Sequence, residues 1–161
     1  MGVRRAGRVI AFQTLYRHEL THEAVAELLD FSWMDSPERV SAESVDFARL
    51  LIAGTVEKLA EVDAAIRRQL EHWDFTRLSR VDLAILRISV YSLLFLGDVP
   101  GSVTIDEAID IAKEYGSDDS YRFVNGVLDG VLKHQLASGE SGPGKTPAKP
   151  AGRRSARRSE P

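Results

Sequence analysis

The chain has 161 residues, of which 43% are hydrophobic, 28% charged and 7% aromatic, with no Cys and a net charge of -3, a profile that excludes collagen-like, mucin-like and disulfide-stapled proteins. Its longest charge-free apolar run, Ile88 to Gly97, is far short of the ~20 residues that span a bilayer, and no secretory leader or membrane span is expected. The missing Cys fits a reducing, cytoplasmic setting and leaves no thiol nucleophile or Cys-held metal.

Charge is unevenly placed. Residues 1–18 carry +4 and residues 138–161 carry +4, which leaves -11 on the body between them. Basic ends point to an anionic partner such as nucleic acid, and the acidic body to a basic protein.

Helical periodicity runs through nearly the whole chain, and the expected fold is all-α. A first helix over about residues 4–20 carries Val9, Phe12, Tyr16 and Leu20 on one stripe, with its arginines at the beginning and its end at Thr21-His22. A second helix is expected from Ala24 to Trp33, with a boundary at Pro37, whose ring cannot continue a preceding helix. Ser44 to Leu70 reads as two amphipathic helices with a break near Glu61 to Asp63.

Ser79 to Leu96 is apolar nearly all round, the pattern of a central buried helix, with Ser79 as N-cap, Asp82 in the first turn and Gly97 and Pro100 as the stop. Thr104 and Glu107 form a T-x-x-E capping box for the next helix, which should end at Gly116. The last helix, about Ser120 to Leu136, holds Gly126 and Gly130, which cost stability unless a neighbour packs against them. From Ser138 onward nothing apolar is large enough to bury, so the expected division is a domain over 1–137 and a disordered basic tail over 138–161.

Two features bear on chemistry. His18-Glu19-Leu20-Thr21-His22 matches H-E-x-x-H, in which two imidazoles one turn apart chelate zinc and the Glu acts as base. His22, however, falls at the expected helix end and no third ligand stands out, so a solvated helix end is the favoured reading and a zinc hydrolase the minor one. No phosphate-binding loop, dinucleotide fingerprint or nucleophile elbow is present. Asp118-Asp119 reads as a capping pair. By contrast, Arg4, Arg5 and Arg8 share one side of a helix and can meet a phosphate backbone, while Gln13 and Tyr16 are suited to base edges and stacking.

The segment Phe123-Val124-Asn125-Gly126-Val127-Leu128-Asp129, preceded by Asp119-Ser120, closely resembles the C-terminal signature of the NusB family of bacterial antitermination factors. Val81-Asp82-Leu83-Ala84-Ile85-Leu86-Arg87-Ile88 is similar to that family's central helix. The similarity continues through Asp98-Val99-Pro100 and Ile105 to Lys113, and includes the Arg-rich head leading into Gln13-x-Leu15-Tyr16.

The resemblance implies about seven helices in two small packed bundles and a non-enzymatic role. It implies binding to single-stranded boxA RNA of nascent ribosomal RNA transcripts together with the ribosomal protein NusE, in an antitermination complex with RNA polymerase and other Nus factors. By position, Arg4, Arg5 and Arg8 become phosphate contacts, Gln13 and Tyr16 RNA contacts, and Lys113 an electrostatic helper. Asp119 and Phe123 complete the RNA surface, although Phe123 fits a core role equally well. Asp82 falls at the NusE contact. No cofactor or metal is implied. An RNA-binding module of an rRNA-modification system is the alternative on the same fold, and a homodimer formed through the first helix is a further possibility.

Overall fold

A computed structural model describes residues 2–139, and within them the fold is all-helical. In chain order the helices are α1 (Val3–Thr21), α2 (Val25–Leu28), α3 (Ala42–Glu57), α4 (Leu59–Arg68), α5 (Arg80–Phe95), α6 (Gly101–Tyr115) and α7 (Ser120–Ser138). Single 3-10 turns lie at Pro37–Arg39 and Phe75–Arg77.

α5 is the hub. It packs on α1 and α3 on one side and on α4, α6 and α7 on the other, so the two groups of helices share it as a common wall. Ile85, Leu86 and Val90 are completely buried there, as expected of a helix apolar around its circumference. Its start is fixed locally, since the Ser79 hydroxyl accepts the Asp82 N–H at 3.0 Å and so satisfies a backbone donor that the helix itself leaves free.

Several expectations are corrected. The second helix stops at Leu28 instead of Trp33, because Phe31 turns into the left-handed region (φ 57) to bury its ring. The Trp33 indole N–H then donates back to the Leu28 carbonyl at 2.9 Å. The break between α3 and α4 falls at Lys58 and not at Glu61 to Asp63. Asp63 reads as a helix breaker in isolation, but it lies on the buried face of α4 with its charge held by Arg87.

α6 begins one turn earlier than the T-x-x-E pattern implies, with Pro100 at the N-cap. Thr104 is therefore buried inside the helix and Glu107 faces α1, so neither caps anything. At α7 the Asp119 side chain makes no cap bond; the Ser120 hydroxyl accepts the Ser117 N–H instead. α7 runs on to Ser138 and ends at Gly139 in the left-handed conformation (φ 68), where glycine carries no steric penalty. The tail expectation for residues 140–161 lies outside the described residues.

The two glycines of α7 also part company. A Cβ on Gly130 would meet the Gln69 side chain, so close packing explains it, whereas a Cβ on Gly126 would meet nothing within 4 Å. Packing does not explain Gly126. Replacing it with Ala is expected to stabilise the protein by about 1 kcal/mol through helix propensity alone, seen as a higher urea midpoint with an unchanged slope.

Candidate nucleic-acid interface

The N-terminal arginines divide into three environments. Arg4 is exposed, with its guanidinium 5.7 Å from the centre of the Phe47 ring. Arg5 is spent on α6: its Nε donates to Glu107 at 2.9 Å, a second nitrogen bonds the same carboxylate, and Asp110 takes another. Hydrogen bonds donated to Glu107 and then to Asp110 raise its pKa further. Arg5 thus fastens α1 to α6 and offers less free charge to a phosphate than its sequence position implies.

Arg8 is different again. It is 6% exposed and lies 5.4 Å from the centre of the Phe47 ring, with its Nε enclosed and without a hydrogen-bond partner. Burial lowers its pKa, and Arg4 and Arg5 push the same way against the pull of Glu107. Enclosing a guanidinium nitrogen without an acceptor is costly. Phe47 can reach both arginines because Gly7 lets α3 approach α1 closely: a Cβ there would lie 2.7 Å from the Phe47 ring and 2.9 Å from the Ser44 carbonyl oxygen.

Further along α1, Gln13 and Tyr16 are half-buried. They line a groove of about 420 Å³ whose opposite wall is Trp33 and Met34. Arg17 stands 5.9 Å from the Trp33 ring centre and is also paired with Glu23. Lys113 is exposed at the end of α6, 5.2 Å from the Tyr121 ring centre.

Asp82, Asp119 and Phe123 come together, as neighbours in one cleft of about 320 Å³ between the start of α5 and the start of α7. Phe123 is half-buried, so its core and surface readings are both partly met. Asp82 is 9% exposed, with its Oδ1 enclosed and unpartnered.

Sequence reasoning missed Phe47, Trp33 and Trp73. Trp73 is 63% exposed and its ring centre lies 6.1 Å from that of Phe123. The available signal was a large aromatic set among polar residues, His72-Trp73-Asp74, outside any helical stripe.

The H-E-x-x-H pattern does not form a chelate. α1 ends at Thr21, His22 is left-handed (φ 59), His18 Nδ1 lies 2.6 Å from the Glu23 carbonyl oxygen, and Glu19 is bonded to Arg87. Both the helix and the free Glu that zinc chemistry requires are absent there.

Arginines and aromatic rings lie together on a small all-helical scaffold. The chain belongs to the NusB family, whose model matches residues 5–133. It is 48% identical over 130 residues to the transcription antitermination protein NusB of Treponema pallidum, covering 81% of this chain and 92% of that one. Among solved structures it is similar to T. maritima NusB, with a TM-score of 0.74 and 43% identity over 81% of this chain and 90% of that one. It is also similar to a structure of the antitermination factors NusB and NusE in complex with dsRNA, with a TM-score of 0.73 and 28% identity over 83% and 98% of the two chains.

Proposed function

We propose that this chain is a transcription antitermination factor acting in the cytoplasm by equilibrium binding, without catalysis. It binds the boxA element of nascent ribosomal RNA transcripts together with NusE and helps to assemble the antitermination complex on RNA polymerase. The observation that carries the reading is Arg8, a largely buried arginine whose Nε has no hydrogen-bond partner, beside the exposed Arg4. A phosphate seated against both would accept charge-assisted bonds from Arg4 and from the terminal nitrogens of Arg8.

In this reading Arg4 and Arg8 hold the backbone, Arg5 braces α1 on α6, and Lys113 adds long-range attraction. Gln13 and Tyr16 receive RNA in the groove facing Trp33, and Asp119 and Phe123 receive it at the second cleft. Asp82 lies largely buried in that cleft, and NusE meets the cleft at its rim.

The test is fluorescence anisotropy with a boxA RNA, a scrambled strand of equal length and a duplex of the boxA sequence, with and without NusE, across salt concentrations. We expect a preference for single-stranded boxA that NusE strengthens. Two neutralised phosphates predict a log-log salt slope of about -1.4 for a single strand. Equal binding to all three RNAs, unmoved by NusE, would sink the reading.

A further inference from the structure

Arg5 is held by two carboxylates at once. Its Nε and one terminal nitrogen bond Glu107 at 2.9 and 3.3 Å, and the same terminal nitrogen bonds Asp110. A guanidinium between two carboxylates is a unit of net negative charge, and it stands beside Arg4 and Arg8 on α1. Glu107 attracts Arg8 as well.

Fastening α1 to α6 does not account for both acids. The Arg5 and Asp110 side chains are 40% and 47% exposed, and an ion pair so open to water contributes little to stability. One acid balances the charge of Arg5, so the second leaves negative charge in surplus where a phosphate would approach. α6 extends that surplus, because Asp106 and Glu114 are exposed on it too, against the one cation Lys113. A phosphate that reaches for Arg5 must displace bonds of the same charge-assisted kind it would make, and must do so beside like charge.

Resting on the RNA-binding reading above, we infer that Glu107 and Asp110 are affinity-limiting residues of the RNA site: they occupy Arg5, so RNA of any sequence is gripped by Arg4 and Arg8 without it. Phosphate contacts add affinity without reading sequence. Withholding one of them lowers the occupancy of every RNA alike, and stable occupancy then depends on base contacts or on NusE. The same carboxylates turn the RNA backbone away from α6 and toward α3, where Phe47 lies beside both remaining arginines.

The test replaces both acids by their amides. Glu107→Gln with Asp110→Asn keeps the side-chain size and an oxygen that still accepts from Arg5, and removes the charge. The probe is the scrambled single strand, followed by anisotropy at about 0.1 M salt, where distant surface charges are largely screened. The double variant should bind it about tenfold more tightly than the parent, the weight of one charge-assisted contact, with a log-log salt slope steeper by about 0.7. The boxA strand should gain by a similar factor. Adding Arg5→Gln to the pair should return the slope to that of the parent. Asp106→Asn with Glu114→Gln makes the same change of charge on α6 without touching Arg5, and should give a smaller gain and no change of slope.

Unchanged binding of the scrambled strand by the Glu107→Gln, Asp110→Asn protein overturns the inference, as does an equal gain from the Asp106→Asn, Glu114→Gln protein or a slope that stays steep once Arg5 is gone. A lower melting temperature with no gain in affinity gives the two acids to the fold alone. In each of these cases a parent that prefers boxA and responds to NusE leaves the RNA-binding function standing. A parent that binds no RNA at all takes both readings down.

Discussion

Replacing Arg87 with Ala is expected to destabilise the domain by about 3–5 kcal/mol, the usual cost of removing one partner from a buried ion pair. Arg87 stands in the middle of α5, with 12% of its side chain exposed. Its Nε and one terminal nitrogen bond the two oxygens of Asp63 on α4 at 2.9 and 3.0 Å, and its other terminal nitrogen bonds Glu19 on α1 at 2.7 Å. Burial opposes the charge, but the hydrogen bonds donated to Asp63 and Glu19, with the attraction of those carboxylates, outweigh it and raise the pKa.

Truncation to Ala removes all three bonds and leaves the Asp63 carboxylate, 9% exposed, without a counter-charge. Lys should recover only part of the loss, since it cannot reproduce the two-pronged fork. The double variant Arg87→Leu with Asp63→Leu should be much closer to the parent, because no buried charge is left unpaired. Urea denaturation followed by circular dichroism measures all three. A single Ala variant within about 1 kcal/mol of the parent would show that water reaches Asp63 freely and that the network is not what joins α1, α4 and α5.

This network marks the limit of what the chain discloses before folding. α5 could be read in full because everything that defines it is local: the apolar circumference, the Ser79 cap and the stop at Leu96. The arginine shelf could be read only in part. The three arginines are plain at one helical repeat, but Arg5 meets Glu107 across 102 residues of sequence and Arg87 meets Glu19 across 68. Spacing along one helix carries no information about such pairs.

The same holds for the cleft. Asp82, Asp119 and Phe123 could be named from the family resemblance, yet their convergence with Trp73 depends on how α5 and α7 start side by side. Misreadings arose where a local rule met a tertiary demand. Thr104 and Glu107 have the spacing of a capping box, but burial of the threonine and the pull of Arg5 on the glutamate claim both. Phe31 breaks the second helix because burying its ring outweighs the cost of a left-handed backbone, roughly 1–2 kcal/mol for a non-glycine residue.

Arg8 supplies the other large effect, and it separates function from stability by sign. Arg8→Met keeps an unbranched apolar stem beside Phe47 while removing the guanidinium, whose Nε has no acceptor in the free protein. The folded state should then gain about 1 kcal/mol, since the desolvation cost of the guanidinium disappears and only a modest cation–π attraction is lost. RNA affinity should move the other way, falling about tenfold or more with one charge-assisted contact, and the salt slope should become shallower by about 0.7. Arg4→Met, on an exposed side chain, should reduce affinity and slope similarly and leave stability within about 0.5 kcal/mol. Thermal melts and anisotropy on the same two proteins measure both quantities. If Arg8→Met melts well below the parent, the guanidinium serves the fold and not the ligand, and the carrying observation for RNA binding is lost. A more stable protein that binds RNA more weakly is the result that a site held ready for phosphate predicts.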